Sequence, residues 1–155
     1  EEAKNGSKSS LYNLGVIYSE GDGVKQDYEI ANQYFEEAAK KNYAPAQNNL
    51  GWAYRQGLGI KKDAYQAIYW FRLAGLQHDA LALQNLAEMA LMGEGFEKNI
   101  DLAEEFYLLC ALQIISDHKD DRASGTNNAI SECRKELAKL NFLRAEKEQE
   151  ALKMS

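Results

Sequence analysis

Three groups of residues in this 155-residue chain have the type and spacing to suggest chemistry. The pairs Gly21-Asp22-Gly23, Gly57-Leu58-Gly59 and Gly93-Glu94-Gly95 resemble phosphate-cradling turns. Asp27 and Asp63 follow the first two at a fixed distance, as acid groups beside such turns would, and Asn99 follows the third. Cys110, Cys133, His78 and His118 supply the nucleophile and metal-ligand types. Each reading fails on its surroundings. A phosphate loop needs a third glycine or a following Lys-Ser/Thr, and a strand before it. Asp27, Asp63 and Asn99 stand where an apolar period begins, the position of a helix N-cap, and Asp63 with Gln66 makes a capping-box pattern. Neither histidine has a Cys, His or carboxylate at metal-ligand spacing, and no Ser/His/Asp set can be assembled. Glu104 and Glu105 read as solvated helix surface. No catalytic residue, metal or cofactor is therefore assigned, and the chain reads as a non-enzyme.

The glycines and caps have another reason to be there. Asn13-Leu14-Gly15, Tyr18, Gly21, Gly23 and Asp27 return at Asn49-Leu50-Gly51, Tyr54, Gly57, Gly59 and Asp63, a shift of 36 from 27 to 63. A worn third copy follows at Asn85-Leu86-Ala87, Gly93, Gly95 and Asn99. A fixed period over three copies signals a repeat architecture. Each copy reads as two antiparallel helices. The A helices are expected at about 8–20, 44–56 and 80–92, and the B helices at about 28–41, 64–77 and 100–117. Gly15 and Gly51 let the partner helix come close. Val24, Ile60 and Phe96 plug the hairpin ends. Ala31, Tyr34, Phe35 and Ala38, with their equivalents, alternate small and large on the B helices, a core pattern. Cys110 occupies the place of Ala38 and Ala74, a small buried site. Two cysteines are too few for a disulfide framework, and a single Cys110–Cys133 bridge stays open.

The fold class is all-α. Residues 1–7 are the tail of a preceding repeat or an N-terminal extension, and repeats span 8–43, 44–79 and 80–117. A polar loop at 118–126 leads to two capping helices within 127–155, expected at 127–139 and 142–153 with Asn141 capping the second. Ile130, Cys133, Leu137 and Leu140 form the apolar stripe that covers the last repeat. The net charge of −6 argues against nucleic acid. No apolar run approaches the roughly 20 residues of a membrane span. No signal peptide is visible.

The motif Asn49-Leu50-Gly51, Tyr54, Gly57, Gly59-Ile60, Asp63, Ala67, Trp70 and Ala74 resembles the Sel-one-like repeat family, relatives of the tetratricopeptide repeats. The third copy departs from it at Ala87, Ala90, Asn99 and Phe106. The resemblance implies a right-handed superhelix of helix pairs with the A helices on its concave side. It also implies a bacterial protein-interaction scaffold, with the periplasm, envelope or secretion favoured and the cytoplasm left open. A protein or peptide partner is expected in the concave groove, a basic one if charge steers the encounter. Tyr12, Asn13, Val16, Asn48, Asn49, Trp52, Arg55, Gln84, Asn85 and Glu88 are the expected contact row. By resemblance, Asn13, Asn49 and Asn85 grip a peptide backbone or carboxylate; the competing reading has them fix the helix stack. Trp52 is either a binding anchor, as tryptophan often is, or packing against neighbouring A helices. An immunity protein that neutralises a secreted toxin, for example a lipase, is the alternative function. Penicillin binding or a hydrolase-like activity is remoter, because relatives of that kind carry a cysteine pair in each repeat.

Overall fold

A 36-residue period predicts helix pairs, and helix pairs are what form. The computed structural model describes residues 6–113 and 121–154. Seven helices are present among the described residues: α1 (Lys8–Glu20), α2 (Tyr28–Lys40), α3 (Ala44–Gln56), α4 (Ala64–Gly75), α5 (Ala80–Met92), α6 (Ile100–Ala111) and α7 (Asp121–Met154). No strand occurs among the described residues. The helices fall into two compact units, residues 1–82 and 83–155. In the first unit α1 packs on α2, α2 on α3 and α3 on α4; in the second α6 packs on α7.

The helix boundaries follow from hydrogen bonds that repeat with the sequence. The A helices α1 and α3 end at Gly21 and Gly57, left-handed at φ 75° and 76°, whose N–H groups reach back to Ile17 and Ala53 carbonyls at 2.9 and 2.8 Å. Each B helix then starts at a capping side chain. Asp27 Oδ1 accepts from Ile30 N–H at 3.0 Å, Asp63 Oδ1 from Gln66 N–H at 3.0 Å, and Asn99 Oδ1 from Leu102 N–H at 2.9 Å. The backbone N–H of each capping residue donates to the preceding A helix, at the carbonyls of Tyr18, Tyr54 and Ala90. That bond takes up the Asp63 donor that a full capping box would give to Gln66, so only half of the expected box forms. The B helices α2 and α4 stop at Lys40 and Gly75, short of the expected 41 and 77. Asn42 and His78, 36 apart, turn left-handed there at φ 58° and 64°. His78 is thus an exposed turn residue. The α6 helix ends at Ala111 and not at 117; residues 114–120, with His118 and the start of the expected polar loop, lie outside the described residues.

Close packing inside each helix pair depends on a missing side chain. A Cβ on Gly15 would lie 2.5 Å from the Phe35 ring, and one on Gly51 would lie 2.8 Å from the Phe71 ring. The rings are buried, at 4% and 0% exposure. Between pairs, the second glycine of the loop does the same. A Cβ on Gly59 would sit 2.5 Å from the backbone carbonyl carbon of Tyr28 at the start of α2. Beside it, Asn32 Nδ2 donates to the Leu58 carbonyl at 2.6 Å. At the other end of the same pairs, Gln77 Nε2 donates to Gln47 Oε1 at 2.7 Å and to Asn42 Oδ1 at 3.1 Å.

The C-terminal segment departs from expectation. It is one continuous helix, α7, where a pair broken at Asn141 was expected, and residues 121–126 are helical instead of loop. The physical reason lies in what surrounds Asn141. Leu140, Phe142 and Leu143 are good helix residues with no Gly or Pro to stop the chain, and Arg144 is held by Asp101 and Glu104 at 2.6 and 2.8 Å. Ile130 and Cys133 are fully buried, as the apolar stripe predicts, while Leu137 and Leu140 are half-buried. Arg134 Nε donates to the Ala111 carbonyl at 3.0 Å, satisfying the C-terminal end of α6. Arg134 and Arg144 therefore hold α7 at the two ends of α6. Cys110 and Cys133 are joined in a disulfide between these helices, closing a 23-residue separation. Beyond Leu140 the helix is exposed through Lys153.

Three outcomes follow. Gly51→Ala gains about 1 kcal/mol of helix propensity, but overpacking against Phe71 costs about 1–3 kcal/mol; urea unfolding is expected to show a net loss, and a gain would mean that the ring yields freely. Replacing Cys110 and Cys133 by Ala removes a cross-link whose loop is worth about 3 kcal/mol, to be read from unfolding under non-reducing conditions. The third concerns Asp79, which caps α5 by accepting from Ala82 N–H at 2.9 Å and whose carboxyl is pushed above its ordinary pKa by burial, against hydrogen bonds that lower it. A raised folded pKa means that Asp79 favours folding most at acid pH and loses that contribution as pH rises through the raised value. Asp79→Asn keeps an acceptor and cannot ionise, so its stability relative to the parent should improve from pH 3 to pH 7; a flat difference would contradict this.

Candidate functional site

The α3 helix is fixed on one side by its core residues. Leu50 and Ala53 are 2% and 4% exposed, and Gly51 sits under the Phe71 ring. That orientation turns Trp52 outward, where it is 42% exposed. One turn on, Arg55 is buried, with its guanidinium 5.8 Å from the centroid of the Trp52 ring. A cation over an indole face is attractive, so Arg55 steadies the ring from within the fold.

Trp52 borders a cavity of about 270 Å³ in the first unit. Glu20 at the end of α1, Tyr28, Asn32 and Phe35 on α2, and Asn49 with Trp52 on α3 make its walls. Gln26 Nε2 donates to the Tyr28 hydroxyl at 3.1 Å, and the Asn32 bond to Leu58 closes one side. Glu20 is the one charged residue lining the cavity among the described residues. The α2 wall is what sequence reasoning missed, because the B helices read as pure scaffold. A signal existed: position 32 is Asn where the next copies have Ile68 and Glu104, a polar residue out of step with the repeat.

The other expected contact residues are placed as follows. Tyr12 is half-buried between the Phe35 and Tyr43 rings, with centroids 5.8 and 5.4 Å away. Val16 packs against the same core, and Asn13 is exposed. Asn48 is buried at 9% exposure, while its neighbour Asn49 is half-exposed in the cavity wall. In the second unit Gln84, Asn85 and Glu88 are half-buried on α5, with Gln84 Nε2 donating to Glu88 Oε1 at 3.3 Å. The cavity thus gathers Asn49 and Trp52 from that row and adds residues of α1 and α2. Tyr65 and Tyr69 on α4 are exposed, as is Leu76 just past its end. A second cavity of about 450 Å³ lies between α7 and the start of α6, bordered by Lys98, Asp101, Glu104, Arg144 and Lys147. No group of three or more His, Cys, Asp or Glu side chains able to hold a metal ion occurs among the described residues. No helix among them is long and apolar enough to cross a membrane.

The Sel1 repeat model matches residues 8–43, 44–79 and 80–113. Among solved structures, the chain is similar to a protective antigen of uropathogenic Escherichia coli strains that displays an SLR fold, at 36% identity and a TM-score of 0.69 over 70% of this chain and 23% of that one. It is similar to a Sel1 repeat protein from Oxalobacter formigenes at 33% identity and a TM-score of 0.66, over 79% of this chain and 49% of that one. Helicobacter pylori cysteine rich protein B shares the fold, at 20% identity and a TM-score of 0.56 over 76% of this chain and 87% of that one. All three sources are bacterial. The chain spans less than half the length of the first two. No curated protein matches the chain. With three consecutive matches covering most of its length, this chain belongs to the Sel1 repeat family of α-solenoid proteins, whose members generally mediate protein–protein interaction.

Proposed function

We propose that this chain is a non-enzymatic scaffold that binds a protein or peptide partner on the surface around Trp52 and Asn49. The observation that supports this reading is Trp52 itself. An indole 42% exposed in the middle of a helix whose flanking residues are buried adds little to the fold. The repeat does not require a ring there, since the equivalent positions are Val16 and Glu88. Tryptophan held rigid by a neighbouring arginine is the type of residue that dominates binding energy at interfaces. Asn49, in the same cavity wall, offers an amide that can donate to and accept from a peptide backbone. Asn13 on α1 extends the proposed contact row within the first unit; Gln84, Asn85 and Glu88 are proposed contacts on α5 in the second unit.

The test is affinity capture with the full chain, followed by titration of the recovered partner. Trp52→Ala should weaken binding about thirtyfold, the equivalent of an anchor worth about 2 kcal/mol. Its helical circular dichroism should stay unchanged. Glu36→Ala is the control: Glu36 is exposed on α2 and pairs with Lys40 at 2.7 Å, a surface ion pair of little energetic weight. Unfolding by Trp52→Ala would make the ring core; unchanged affinity would move the partner elsewhere, with the exposed face of α4 the next surface to examine.

A further inference from the structure

The lining of the Trp52 cavity points to the chemistry of what enters it. Its lining includes three aromatic residues, Tyr28, Phe35 and Trp52, and one charged residue, Glu20. Among the described residues Glu20 makes no ion pair, and no cation lines the cavity. The end of α1 adds to this polarity. A helix C-terminus carries partial negative charge, which a basic residue in the last turn can offset; at α1 the Ile17, Tyr18 and Ser19 carbonyls already accept from Gly21 N–H, Asp27 N–H and Gln26 Nε2. The α2, α3 and α4 helices carry Lys40, Arg55 and Arg72 there, while α1, α5 and α6 carry none. The repeat shows what is missing. Shifting Ser19 by one period gives Arg55. The second copy thus supplies its own guanidinium at this register, seated beside an indole; the first copy has a hydroxyl and an open space.

We propose that this cavity receives a single cationic side chain, arginine or lysine, presented by the partner protein; the proposal rests on the scaffold reading above. The aliphatic stem lies on the aromatic walls; the Trp52 ring is already shared with Arg55, so the cation–π attraction for the charged head falls to Tyr28 and Phe35. The head reaches the Glu20 carboxylate, forming a charge-assisted hydrogen bond. A volume of about 270 Å³ suits one such side chain and leaves no room for a folded element. The net charge of −6 gives a basic partner a favourable approach.

The test uses small probes on the full chain. Nα-acetyl-arginine amide and Nα-acetyl-lysine amide are titrated by NMR, following the Trp52 indole N–H and the side-chain amides of Asn32 and Asn49. Nα-acetyl-norleucine amide, of similar length and no charge, is the comparator. Saturable shifts with the two cations, at least about fivefold weaker with norleucine and about fivefold weaker in Glu20→Gln, are expected. Raising the ionic strength should weaken them further. Equal binding of norleucine, indifference to Glu20→Gln, or no shifts with either cation would overturn the proposal. The two readings fail separately. A captured partner lost on Trp52→Ala but indifferent to Glu20→Gln keeps the surface and removes its cationic preference.

Discussion

Everything in the first unit depends on how closely two backbones approach at Gly59. The glycine lies against the peptide group between Tyr28 and Glu29, with its hypothetical Cβ 2.5 Å from backbone. A side chain can move aside, but a helix start fixed by the Asp27 cap cannot. The loop of one helix pair is therefore locked to the first turn of the pair before it. The Asn32–Leu58 hydrogen bond lies beside this contact, and the Asn42–Gln47–Gln77 amide network ties the opposite ends of the same pairs. Two polar clamps and one backbone contact leave little freedom to the angle between neighbouring pairs.

That angle decides which residues are surface. With Gly15 and Gly51 turned under the Phe35 and Phe71 rings, the rotation of each A helix is set. Trp52, beside Gly51, must then face away from the α4 partner, and the space between the ends of α1 and α2 and the flank of α3 opens next to it. The cavity is thus a by-product of spacing between repeats, coloured by residues that vary from copy to copy. In the second unit a different device acts. Where a further pair would continue the pattern, α7 lies along α6, held by the buried disulfide and by arginines at both ends of that helix.

Much of this was legible in the sequence, for a definable reason. The A helices, the caps Asp27, Asp63 and Asn99, and the packing role of Gly15 and Gly51 recur every 36 residues, and recurrence averages out accidents of any single copy. Features that occur once were harder to read. Asn141 looked like a cap, yet a helix continues through it, because a capping residue stops a helix only when the backbone before it turns. The Cys110–Cys133 bridge was left open because a pair of cysteines encodes no geometry until α6 and α7 are placed. The role of Asn32 is hard to read from sequence because its partner, the Leu58 carbonyl, belongs to the next repeat and has no sequence signature. The same holds for the cavity wall it helps to form.

The most direct measurement of the central claim compares two single substitutions, Gly59→Ala and Gly23→Ala. Both glycines are left-handed, at φ 63° and 72°, so alanine meets a similar conformational cost of about 1–2 kcal/mol at each. They differ in what a Cβ would touch: Tyr28 backbone at 2.5 Å for Gly59, and nothing within 4 Å for Gly23. Subtracting the two unfolding free energies therefore isolates the backbone contact between repeats. If that contact sets the stack, Gly59→Ala should lose about 2 kcal/mol more than Gly23→Ala. Equal losses would show that the repeats are positioned by something else.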